Sequence, residues 1–278
     1  LVLLGADPLA DFPDSGLAAR GLAGAHTIIA VDALPNESVR QADIVLAASM
    51  FGEKGGTTTN IEGRVSRLAK QVTAPGTARD DWMIAAELAL RLDADLGFSS
   101  AEEIWSEIEQ VAPSHANCDV SVIEAASASD GVLLPLPAVV ADEPSEELAA
   151  PGPERPALVS LTLPDITAPP PVDSYSLRLV VGRKLYDLGT GLAYSASMSG
   201  LAPESVLRMH PTDLDRLGLT SGTEVNATSN RATIVTMARA DSGVPRGSAA
   251  LAFNQPGQHA GVLINATDRV TDIRVETR

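Results

Sequence analysis

The sequence predicts an α/β fold class: part of a doubly wound parallel sheet followed by a small β-barrel. Three observations predict it. Short, continuous apolar runs alternate with helix-length stretches near the start, as strands buried on both faces of a parallel sheet require. The last hundred residues instead carry many short segments of two-residue alternation with frequent turns, which suits a closed barrel. Between them lies a stretch rich in Pro, Ala and Ser. The predicted organisation is α/β over 1–113, connector over 114–173 and barrel over 174–278.

Leu1 to Leu4 is apolar and closed by Gly5, Asp7 and Pro8, the first strand and its turn. Thr27 to Val31 and Ile44 to Ala48 are the next two strands. Ser15 to Leu22 and Glu37 to Ala42 are the helices expected between them. Thr77 to Asp80 reads as a cap for a helix whose apolar face is Trp82, Ala85, Ala86, Ala89 and Leu92, stopped by Gly97. Ser100 with Glu103 repeats the pattern ahead of Ile104, Ile108 and Val111, and Pro113 ends that helix.

From Ser114 to Asp173 the prolines interrupt helix and sheet pairing alike, so no separate core is expected there. Gly131 to Val140 is apolar enough to pack against a neighbouring domain. Leu177 to Gly182 and Ser205 to Met209 then restart strands, and Thr212 to Asp215 caps a single helical turn ending at Gly218. Glu224 to Thr228 and Ala232 to Ala238 alternate around Ser229, Asn230 and Arg231, a hairpin. Ala249 to Phe253 and Asp272 to Glu276 complete the strands.

Lys and Arg total 20 against 36 Asp and Glu, a formal charge of −16 that repels phosphate backbones and anionic membrane surfaces. Nucleic acid is not an expected partner. Cys118 is the only cysteine, so no disulfide framework and no iron–sulfur cluster ligated by several cysteines of this chain is possible. It is expected to be an inert, small residue. His26, His115, His210 and His259 lie far apart and none begins a metal-ligand spacing, so no metal site is expected. No apolar run has the length to span a bilayer and no signal-peptide pattern opens the chain, which predicts a soluble, cytoplasmic protein without direct membrane insertion. A strand at the first residue suggests a piece of something longer.

The most specific segment runs from Glu53 to Val65, with Gly55, Gly56, Thr57, Asn60, Glu62, Gly63 and Arg64. Its glycines permit a tight turn, Asn60 can bond its own turn, and Glu62 can pair with Arg64. Glu53, Asn60, Glu62 and Arg64 are therefore expected to brace the loop after the third strand. The block resembles the signature of the molybdopterin oxidoreductase family. Ile29 to Asp32 and Ala42 to Leu46 resemble the same family, in which an acid at a strand end faces a nucleotide; a solvated turn acid is the other reading of Asp32. Val181-Gly182-Arg183, Met209 to Asp213, Leu217 to Val225, Pro245 to Gly247 and Phe253-Asn254 are similar to the family's dinucleotide-binding barrel, a double-psi type.

The resemblance implies a vestigial pterin site at Asp32, Asn60, Arg64, Gly182, Arg183 and Lys184, with no catalytic residue and no molybdenum ligand. Gly63 to Val72 with Pro75 to Trp82 is most similar to the actinobacterial form of the large peripheral-arm subunit of NADH-quinone oxidoreductase, respiratory complex I. That implies a redox-inactive scaffold on the cytoplasmic side of the plasma membrane. Its partners would be iron–sulfur-bearing N-terminal domains of the same subunit and other hydrophilic-arm subunits. The alternatives are half of a true molybdenum enzyme of the formate dehydrogenase or nitrate reductase type, and a nucleotide-binding module, although no Gly-rich phosphate loop follows the first strand.

Overall fold

The computed structural model describes residues 1–134, 168–257 and 259–278. Their fold is mixed α/β with parallel pairing and a closed six-stranded barrel. The chain divides into two compact units: residues 1–47 with 168–278, and residues 48–167.

In the first unit, β1 (Val2–Leu4), β2 (Ile29–Asp32) and β3 (Ile44–Ala47) form a parallel sheet in that order, with Val2, Ile29 and Ile44 in register. Gly5 turns the chain at φ +55°. A short helix not anticipated from the sequence, α1 (Pro8–Asp11), follows, started by a proline at its first position. α2 (Ser15–Ala23) is capped by Asp14, whose Oδ1 accepts from Leu17 N–H at 2.8 Å. The helix expected over Glu37 to Ala42 is only a 3-10 turn, Val39–Gln41. Asn36 Oδ1 accepts from Val39 N–H at 2.8 Å, and β3 begins at Ile44, which leaves no length for α-helical turns. Leu3, Ala30, Leu22, Ile28 and Val39 pack on one face of the sheet.

The same unit contains the barrel. Its strands are β7 (Ser176–Gly182), β8 (Val206–Met209), β9 (Glu224–Thr228), β10 (Thr233–Ala240), β11 (Ser248–Ala252) and β12 (Asp272–Thr277). Around the wall they run β10, β8, β11, β7, β12, β9. β9 and β10 are the expected hairpin, Thr228 facing Thr233. Alternation fills the interior: Leu177, Leu207, Met209, Val225, Ala249 and Leu251 are sealed within it. α6 (Thr190–Ala193) lies in the connection after β7. α7 (Pro211–Arg216) is capped by His210, whose Nδ1 accepts from Thr212 N–H, rather than by Thr212 itself, and Gly218 ends it at φ +68°. Asp213 within it is buried, accepting from Gly247 N–H at 2.8 Å and from Arg216.

In the second unit, β4 (Gly56–Thr59), β5 (Arg64–Leu68) and β6 (Val132–Leu133) are antiparallel. The segment expected as a loop is thus a hairpin. α3 (Asp81–Arg91) begins at Asp80 without a side-chain cap. α4 (Ala101–Val111) has the expected Ser100 cap, Ser100 Oγ accepting from Glu103 N–H at 3.2 Å. Of the stretch expected as a connector, residues 114–134 carry α5 (Val120–Ala125) and β6, and Cys118, Ile123 and Leu134 share a core with Val65 and Trp105. The acidic cluster from Asp142 to Glu154 and the apolar piece beyond Leu134 lie outside the described residues.

Candidate functional site

The carboxyl ends of β1 and β2 open on a cavity of about 340 Å³ in the first unit, where ligands of open α/β sheets are held. Asp7, Leu9, Asn36, Glu37 and Arg40 contribute from the sheet side, and Tyr194, Asn254 and His259 from the barrel side. The loop residues are fixed locally. Ser38 Oγ donates to Asp7 Oδ1 at 2.5 Å and accepts from Leu9 N–H at 3.1 Å, while Tyr194 donates its hydroxyl to the Pro35 carbonyl at 2.6 Å. Asn254 sits at φ +53°, a conformation Asn tolerates better than most residues. Its Nδ2 has no hydrogen-bond partner among the described residues. His259 Nδ1 accepts from Gly261 N–H at 3.2 Å, and burial holds the imidazole pKa below its ordinary value against the opposing effect of the Ala10 backbone.

The six residues singled out from the sequence divide between the two units. Asp32, Gly182, Arg183 and Lys184 lie in the first, Asn60 and Arg64 in the second. Asp32 spends both carboxylate oxygens on its own turn, accepting from Leu34 N–H and from Asn36 Nδ2, each at 3.0 Å. Gly182 ends β7 and its carbonyl accepts from Phe253 N–H at 2.9 Å. Lys184 is exposed. Arg183 makes three hydrogen bonds: Nε and Nη2 donate to the two oxygens of Asp187 at 2.7 and 3.2 Å, and Nη1 donates to Asp11 at 2.9 Å. The Arg183 guanidinium, above all, holds the Asp187 carboxyl below its ordinary range.

In the second unit, Asn60 Oδ1 accepts from Glu62 N–H and Arg64 N–H at 2.9 and 3.0 Å and so closes the β4–β5 turn. Arg64 Nε is 3.5 Å from Glu62. Glu53 braces a separate turn, accepting from Met50 N–H at 2.9 Å. Burial, then Glu109 and Asp119, push the Cys118 thiol up, away from thiolate chemistry. Among the described residues, no three His, Cys, Asp or Glu side chains are grouped to hold a metal ion, and no helix is long and apolar enough to cross a membrane.

Residues 1–91 match the model of the molybdopterin oxidoreductase family and residues 177–274 that of the molydopterin dinucleotide binding domain. The NADPH-Fe(3+) oxidoreductase subunit alpha of Geobacter sulfurreducens is 30% identical over 96% of this chain and 28% of its own length. The F420-dependent formate dehydrogenase 2 subunit alpha of Methanococcus maripaludis is 29% identical over 98% of this chain and 40% of its own. An NADH-quinone oxidoreductase subunit of Rhizobium meliloti is 26% identical over 89% of this chain and 26% of its own. The chain therefore spans only a quarter to two-fifths of these relatives. The fold is shared with acetylene hydratase from Pelobacter acetylenicus, at TM-score 0.70 and 16% identity, over all of this chain and 44% of that one.

Proposed function

Because the chain carries domains of the molybdopterin oxidoreductase family, we propose that it is the scaffold part of a large electron-transfer subunit, of the kind found in the peripheral arm of NADH-quinone oxidoreductase. In this reading the segment holds no redox centre, its barrel is of the double-psi type, and electrons pass through iron–sulfur clusters elsewhere in the parent polypeptide. Its partners are those cluster-bearing domains and other hydrophilic-arm subunits, on the cytoplasmic side of the plasma membrane.

The observation that supports a packing role is the second face of the β1–β2–β3 sheet. Parallel sheets are covered on both faces. Here one face meets α2, whereas Val2, Leu4, Ile29, Val31, Ile44 and Leu46 share the other by register; of these Val2, Leu4 and Ile44 are 54%, 72% and 47% exposed, and Val31 between them is buried. Exposed aliphatic side chains grouped at the outer strands of one sheet face are a candidate interaction surface. Introducing Leu4→Asp with Ile44→Asp in the full-length subunit is expected to abolish its incorporation into the complex on a native gel, with the circular dichroism of the isolated segment unchanged. Complete incorporation of the double variant would overturn the reading.

The second reading, a catalytic subunit of the formate dehydrogenase type, is favoured by the formate dehydrogenase relative. It predicts stoichiometric molybdenum in the purified parent protein, and elemental analysis separates the two.

A further inference from the structure

We infer that Arg183 acts as an internal clamp between the loop after β1 and the end of β7, and that the Asp11–Arg183–Asp187 triad keeps diphosphate-bearing pterin cofactors out of the adjoining crevice. The inference stands on side-chain geometry and is independent of the assembly role proposed above.

A guanidinium recognises phosphate through a planar fork of N–H groups. In Arg183 three of the five N–H groups of that fork, one on each nitrogen, already point at carboxylates, although the side chain is 48% exposed. Asp187 takes Nε and Nη2 in a two-point contact, and Asp11 takes Nη1. Two carboxylates around one cation leave a net negative charge where a diphosphate would need a positive one. Asp187 is itself 8% exposed and held by Gly189 N–H at 2.8 Å. A Cβ added at Gly189 would stand 2.8 Å from Asp187 Oδ1 and 3.0 Å from Arg183 Nη2. The loop backbone therefore lies directly against the ion pair on the Gly189 side, and the open side of Arg183 carries Asp11. Displacing Asp187 would strand a buried carboxylate without its cation, which is costly.

The cavity walls agree. Arg40 is the single cation among their described residues, and it pairs with Glu37 at 2.6 Å beside the further carboxylate of Asp7. The volume of about 340 Å³ is near the lower end of the range of roughly 300–1,000 Å³ for small-molecule sites, less than a pterin dinucleotide fills. The triad stands beside the cavity rather than in its wall, next to the lining residues Ala10 and Leu188, and Lys184 is exposed next to Arg183.

The test uses the full-length protein purified from a host that makes molybdopterin guanine dinucleotide. Acid hydrolysis of the wild type should release no GMP, and calorimetric titration with GDP should show no saturable binding in the millimolar range. Asp11→Ala, at an exposed position, should bring GDP binding into range with at least a tenfold gain, and adding Arg183→Gln should remove that gain. Asp187→Asn should lower the melting temperature without releasing GMP. Stoichiometric GMP from the wild type, or no gain on Asp11→Ala in a protein that melts as the wild type does, would overturn the inference.

Discussion

Asp14 shows how much one side chain can hold. It caps α2 through Leu17, accepts from Ala266 N–H at 3.1 Å and pairs with Arg231 at 3.2 Å, all while 1% exposed. Burial raises its pKa, but the Leu17 and Ala266 amides with Arg231 and Arg20 outweigh that and leave the pKa lowered. Asp14→Ala should cost about 2–4 kcal/mol, the sum of a lost cap and stranded charged hydrogen bonds, read from chemical denaturation. A lowered folded pKa stabilises above the ordinary value of 3.8 and ceases to do so as pH falls through the folded value. The difference between wild type and Asp14→Ala should therefore shrink below about pH 4 and be constant near neutrality. Asp32 and Asn60 were legible in the sequence because their partners lie within four residues. Arg183 was legible only as a cation. Its partner Asp11 is 172 residues away, and no local signal joins the two. Asp7, Asn254 and His259 were missed for the same reason: a cavity lining is assembled by the fold.

At the scale of elements, local cues worked where the chain supplies its own hydrogen bonds. The Ser100 cap and the β9–β10 hairpin are of this kind. They failed where packing decides. The Glu53 to Val65 segment carries turn residues without apolar alternation, yet β5 is ordered because Val65 enters a core with Trp105, Ile123 and Leu134. That core also draws residues 114–134 into regular structure despite their composition. Gly131 is its tightest joint, at φ +88°, where a Cβ would sit 2.3 Å from the Val65 carbonyl and 2.6 Å from Ser66 Oγ. Gly131→Ala should destabilise the second unit by roughly 2–4 kcal/mol through strain and backbone displacement. Trp82 and Trp105, the two tryptophans of the chain, both lie in that unit. Their fluorescence melt should shift to lower temperature, and an unchanged melt would refute the assignment.

For the whole molecule, the division into units departs from sequence order. The first unit is discontinuous, and the second occupies the interval between its two parts. The composition shift after residue 113 is visible in the sequence; that residues 1–47 join 168–278 is not, because the joining contacts are long-range. Local contacts form before distant ones. Pulse-labelled hydrogen exchange during refolding should therefore protect the β4–β5 hairpin before β7 and β12. Simultaneous protection of both would contradict this order.

The wall of the barrel carries one more consequence, for synthesis at the ribosome. β7 lies between β11 and β12, and Arg178 meets Asp272 94 residues later. At about 5–20 residues per second, β7 is exposed for roughly 5–20 s before its last neighbour is made. Until then β7 and β9 both offer an unpaired edge, the state in which strands mispair with other nascent chains. Slowing elongation across 183–271 should therefore raise the insoluble fraction in cells while leaving the folded product unaltered.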